Sequence, residues 1–117
     1  LNSIEFWTGD NPVANRVGKV RNIKGDDGLM YAVKYLENGY QITNPQGKIT
    51  YFTYDKAENT WYINAEGQEK KILQFNGNGT VKAFLNNGYT ADVTVDAAGV
   101  YQLSHLQAGT SFYMAQR

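Results

Sequence analysis

Asn-Gly occurs four times in this chain, at Asn38-Gly39, Asn76-Gly77, Asn78-Gly79 and Asn87-Gly88. The pair is the strongest short-range hairpin signal, because both residues accept the positive φ that a type I′ turn demands. Further turn signals fall at Gly25-Asp26-Asp27-Gly28, Asn44-Pro45-Gln46-Gly47, Ala65-Glu66-Gly67, Asp96-Ala97-Ala98-Gly99 and Gln107-Ala108-Gly109. From Gly28 onward one arrives about every 8 to 12 residues, the spacing of an all-β barrel or sandwich.

Between the signals lie runs that read as strands: residues 29–37, 40–43, 48–54, 60–64, 70–75, 80–86, 89–95, 100–105 and 110–116, with 3–8 as the first. Alternation is cleanest at 89–95, where Tyr89, Ala91, Val93 and Val95 face one way and Thr90, Asp92 and Thr94 the other. That is the pattern of a half-solvated antiparallel strand. Around residues 29–36 both Leu29-Tyr31-Val33-Tyr35 and Met30-Ala32-Leu36 are apolar, and Phe112 with Met114 opposes Tyr113 with Ala115 in the last run. Strands of that kind call for cover on both sides. Residues 10–24 fit a strand less well. Asn11 before Pro12 is a helix-cap signal, whereas Gly18 and the valines disfavour a helix, so we expect a short helix or turn at 11–16 followed by a strand.

After Gly28 every connection is short, and short connections join antiparallel neighbours. The whole chain, 1–117, therefore reads as one all-β domain, an antiparallel meander of about ten strands. Such a meander leaves two exposed edges unless it curls. The expectation is a closed or strongly curved barrel with 110–116 beside 3–8, and a flattened β-sandwich as the alternative. In strand number, meander order and length the chain resembles the lipocalin and fatty-acid-binding barrels. That resemblance implies binding of a small apolar ligand. The lipocalin first strand places a glycine two residues before its tryptophan; here Trp7 follows Glu5 and Phe6, and Gly9 comes after it.

Composition excludes several classes of chemistry. The 11 basic and 11 acidic residues cancel, so the total offers no excess of cations for nucleic-acid phosphates. Arg16, Lys19, Arg21 and Lys24 do form a local basic cluster, read either as a solvated face or as an anion site. The absence of cysteine excludes disulfides and thiolate metal sites. His105 is the only histidine, and one histidine cannot build a multi-histidine metal centre. Most acids sit in turns, their usual structural place. KGDDG lacks the alternating oxygen ligands of a calcium loop, and NGNGT lacks the lysine of a phosphate loop. No apolar run reaches the roughly 18 residues of a membrane span.

What remains is an inventory of rings: 9 Tyr, 5 Phe and 2 Trp. Five of them stand in the segment YFTYDKAENTWYIN, residues 51–64. The order tyrosine, aspartate, x, alanine, x, x, threonine, aromatic resembles the second hairpin of the immunoglobulin-binding domain of streptococcal protein G. The resemblance covers this hairpin alone and implies its register: Asp55 opposite Thr60, Tyr54 opposite Trp61, Thr53 opposite Tyr62, Phe52 opposite Ile63 and Tyr51 opposite Asn64. Asn59 would then take a left-handed conformation. Phe52, Tyr54, Trp61 and Ile63 form one apolar face, assigned to the core. Tyr51, Thr53, Tyr62 and Asn64 form the other, a credible binding surface.

The expected function is thus a non-enzymatic binding module without cofactor or metal, secreted, periplasmic or surface-exposed. Its partner would be a small apolar molecule, a glycan or a protein, met by a barrel mouth or sheet face. The ligand-binding candidates are Trp7, Tyr31, Tyr35, Tyr51, Tyr62 and Asn64, with Trp61 beside them. The alternative is a structural or interaction domain of a cell-envelope or adhesive assembly. A monomer or weak homodimer is expected, with no nucleic-acid partner and no membrane span.

Overall fold

The computed structural model describes residues 4–25, 27–84, 88–94 and 101–103. The turn signals at Asp96–Gly99 and Gln107–Gly109, the expected strand 110–116 and His105 lie outside the described residues. Within them the chain forms β1 (Ile4–Phe6), a single 3₁₀ turn (Ala14–Arg16), β2 (Val20–Lys24), β3 (Met30–Leu36), β4 (Gly39–Thr43) and β5 (Ile49–Asp55). It continues as β6 (Thr60–Ala65), β7 (Gln68–Phe75), β8 (Thr80–Phe84), β9 (Thr90–Thr94) and β10 (Tyr101–Leu103). There is no α-helix among the described residues. The segment after Asn11 is the expected turn followed by a strand.

Strands β2 to β9 pair in sequence order as one eight-stranded antiparallel meander, while β1 and β10 form a separate two-stranded ribbon. Among the described residues the sheet does not close. Strands β2 and β9 do not pair with each other, and β1 meets β10 in the register Ile4 opposite Leu103. The physical reason lies in what fills the interior. Large rings and the N-terminal segment occupy the inner face, and the edge at β2 is blunted by charge, with Arg21 on the inner face and Lys24 at its end. Charged side chains directed inward on an edge strand oppose further pairing.

The β5–β6 hairpin has the register expected from its sequence at every pair from Tyr51–Asn64 to Asp55–Thr60. Asn59 sits at φ 57, and the Asp55 carboxylate accepts the backbone N–H groups of Ala57 and Glu58 to fix the loop. The Asn-Gly signal behaves differently. The β3–β4 loop is Glu37–Asn38, since Leu36 pairs with Gly39, and neither loop residue has positive φ. The loop with two central residues at positive φ, as a type I′ turn requires, is Glu66–Gly67 between β6 and β7 (φ 54 and 77).

Alternation sends one face of the sheet inward. Tyr31, Val33 and Tyr35 of β3, Tyr40 and Ile42 of β4, Phe52 and Tyr54 of β5 and Trp61 of β6 are all buried. A bulge on β7 lets Ile72 and Leu73 both join this core: Trp61 pairs with Leu73 and Tyr62 with Lys71, so Ile72 is left between the pairs. The expected second cover on β3 is not complete. Met30 is 52% exposed, and Ala32 and Leu36 are half-buried, so this strand has one core face and one open face.

Candidate functional site

Of the six candidate binding residues, Trp7, Tyr31 and Tyr35 lie in the core, at 2%, 0% and 5% exposure. The two tyrosine hydroxyls have partners within the protein. The Tyr31 hydroxyl donates to the Asp27 carboxylate at 2.7 Å, and burial together with that acceptor raises its pKa. Trp7 packs edge-on against Trp61, Tyr40 and, more obliquely, Tyr54.

Tyr40, Tyr54 and Trp61 on the inner face meet the chain itself. Residues 4–11 cross the inner face as a strap. The Tyr40 hydroxyl donates to the Glu5 carbonyl at 2.6 Å, and the Trp61 indole N–H donates to the Trp7 carbonyl at 2.8 Å. The Gly9 N–H donates to the Tyr54 hydroxyl at 3.0 Å. The Asn11 amide donates to the carbonyls of Leu36 and Glu37, and Lys56 pairs with Asp10 on the surface. Each ring end thereby pairs with a backbone group of the strap, while Phe6 packs edge-on against both Phe52 and Trp61.

Tyr51, Tyr62 and Asn64 stand together on the opposite, outer face. Register across five strands gives the row Lys34, Gln41, Tyr51, Asn64 and Glu69, with the pair Thr53–Tyr62 beside it. Tyr51 is 40% exposed, and Gln41, Thr53, Tyr62 and Asn64 are half-buried. The Tyr62 hydroxyl donates to the Glu58 carboxylate, which raises its pKa to about 12. The row therefore offers one broad ring between two amides, with its charges at the ends. Gln41 was not singled out in the sequence, although the alternation of GYQIT places it on this face.

A concave feature lies on the inner side, where β1 and the 3₁₀ turn meet β2, β3 and β4. It is a cleft of about 220 Å³ lined by Ile4, Glu5, Val13, Arg16, Arg21, Val33, Tyr35 and Tyr40. The structure thus brings together Arg16 and Arg21 of the basic cluster and leaves Lys19 and Lys24 exposed. The Arg16 guanidinium lies 5.8 Å from the centre of the Tyr35 ring and donates to its hydroxyl at 3.4 Å. Burial raises the Tyr40 pKa, the nearby Glu5 charge raises it further, and Arg21 opposes the rise.

Among the described residues no group of three or more His, Asp or Glu side chains is placed to hold a metal ion. Nor is any helix among them long and apolar enough to cross a membrane. The chain belongs to the family described as a domain of unknown function, DUF3332, whose sequence model matches residues 1–103. The match is to this family rather than to a lipocalin family. No curated protein and no solved structure matches the chain.

Proposed function

We propose that this member of the DUF3332 family is a non-enzymatic binding module, secreted or surface-exposed, that takes a neutral oligosaccharide on its outer sheet face. The observation that carries this reading is the row Gln41–Tyr51–Asn64, one side chain from each of three neighbouring strands. Strands lie about 4.8 Å apart, so the three groups span roughly 10 Å of flat surface. An exposed tyrosine ring suits the apolar face of a sugar, and flanking amides can donate to and accept from its hydroxyls. The centre of the row is uncharged, which suits a neutral sugar better than a sulfated or phosphorylated one. The inner rings are not available for this role, because they already hold the strap.

The test is calorimetric titration with a panel of neutral oligosaccharides, followed by Tyr51→Ala and Gln41→Ala. Binding that drops at least tenfold in Tyr51→Ala supports the reading. Absence of binding across the panel, or binding indifferent to both substitutions, refutes it.

A structural role within a larger cell-envelope or adhesive assembly is the second reading. Its support is the apolar surface at one end of the sheet, where Leu29, Met30 and Ile49 are 40%, 52% and 44% exposed. Concentration-dependent light scattering that Met30→Ser and Ile49→Ser abolish would favour it over the glycan reading.

A further inference from the structure

The cleft beneath the strap joins a concave volume to three aliphatic lining side chains and two guanidinium groups at its wall. Ile4 and Val33 are buried and Val13 is half-buried, so three aliphatic side chains stand in a lining that otherwise carries tyrosine, glutamate and arginine groups. Arg21 is held on the inner face of β2 by its pairing with Val33, and it shares the neighbourhood of the Tyr40 hydroxyl with Glu5. Those two opposite charges offset each other at the inner end of the cleft. Arg16 is the third charge, and it tips the balance to positive at the mouth.

An inward-directed arginine on an edge strand has an ordinary structural use, since it discourages strand addition. That accounts for Arg21. It does not account for Arg16, which sits on a 3₁₀ turn, is exposed, and has its guanidinium steered over the cleft by the Tyr35 ring. Stacking on a ring fixes the plane of the fork while leaving its edge able to meet a planar acceptor. The 3.4 Å bond to the Tyr35 hydroxyl is long, so a charged acceptor would compete with it easily.

Size limits the ligand. The cleft holds about 220 Å³, below the roughly 300–1,000 Å³ of sites for drug-sized molecules. A ligand of only several non-hydrogen atoms fits. We infer that this cleft binds a small aliphatic monocarboxylate, with the carboxylate on the Arg16 guanidinium and the hydrocarbon tail against Ile4, Val13 and Val33. The inference is independent of the glycan reading, because that row lies on the opposite face of the sheet.

The experiment is an ¹H–¹⁵N NMR titration of the whole chain with sodium butyrate at constant ionic strength. Parallel titrations use butyramide, which keeps the shape without the charge, and inorganic phosphate, which keeps a charge without the tail. A ligand this small is expected to bind at about millimolar concentration. The expected result is saturable shifts at Val13, Arg16, Val33 and Tyr35 with butyrate, and weaker or no response to the other two probes. Arg16→Gln should weaken butyrate binding about tenfold, the scale of one charge-assisted contact, and Arg16→Lys should recover part of it. Arg16 is exposed, so both variants should keep the amide spectrum of the parent outside the cleft. No saturable shift with butyrate overturns the proposal. So does an equal response to butyramide or phosphate, or binding unchanged in Arg16→Gln.

Discussion

At Gly39 a β-carbon would stand 1.8 Å from the Phe52 carbonyl oxygen, backbone against backbone. Neither neighbour can rotate away, because Gly39 pairs with Thr53 in the ladder. Gly39→Ala should therefore cost on the order of 3 kcal/mol or more, measured as a lower urea midpoint. A value below about 1 kcal/mol would mean that the two strands separate at small cost. Glu66 is the converse case. Its φ of 54 is unfavourable for a glutamate, and its ion pair with Lys48 joins two side chains that are both more than half exposed. Such a pair contributes little. Replacing Glu66 with asparagine installs the favoured type I′ dipeptide and should raise stability by roughly 0.5–1 kcal/mol, read from the thermal midpoint. Trp61→Phe keeps most of a fully buried ring but leaves the Trp7 carbonyl without its 2.8 Å donor. A loss of about 1–3 kcal/mol is expected, and no loss would show that the strap does not need this bond.

The hairpins were legible as elements because each is decided locally. Asp55, Asn59 and the alternation of Phe52, Tyr54, Trp61 and Ile63 specify one loop, one register and one inward face. The Asn-Gly rule misled at β3–β4, where the glycine is required by proximity to β5 rather than by turn geometry. The strap was not legible. Nothing local in IEFWTGDN says that Trp61, Tyr40 and Tyr54 will meet its carbonyls and amide from positions so distant in the chain. Rings such as Trp7, Tyr31 and Tyr35 read equally, in sequence, as a display for a foreign ligand. The outer face was legible as a face, whereas the cleft was not, because Arg16 and Arg21 converge only after β1 is laid across the sheet. The strap's role is testable by complementation. A chain lacking residues 1–11 should lose cooperative unfolding, because Ile4, Phe6 and Trp7 leave the core. A synthetic peptide of those residues should restore it; a truncated chain that unfolds as cooperatively as the parent would show the strap to be dispensable.

At the scale of the molecule, one ring-lined face has been closed by the chain and the other left to solvent. The closed face also sets an alkaline limit on stability. Burial raises the Tyr40 pKa, and so does the charge of Glu5. The folded state therefore holds this phenolic proton more tightly than the unfolded chain, whose tyrosines titrate near about 10. The stabilisation is fully present below pH ~10 and declines as pH rises above it, by up to about 1.4 kcal/mol per pH unit for this one group. Tyr40→Phe should be less stable at pH 7, having lost its bond to the Glu5 carbonyl, yet its stability should fall less steeply between pH 10 and 11. Equal slopes in the two proteins would remove Tyr40 from that account. The pairing of β1 with β10 has a consequence in time rather than in space. Ile4 waits for Leu103, nearly the last partner in the matched family domain to be synthesised. At roughly 5–20 residues per second that delay is on the order of ten seconds. Throughout it Phe6 and Trp7 are already made while the sheet that will cover them is still being synthesised. Whatever handles this polypeptide during synthesis must keep that segment from other partners until β10 has emerged.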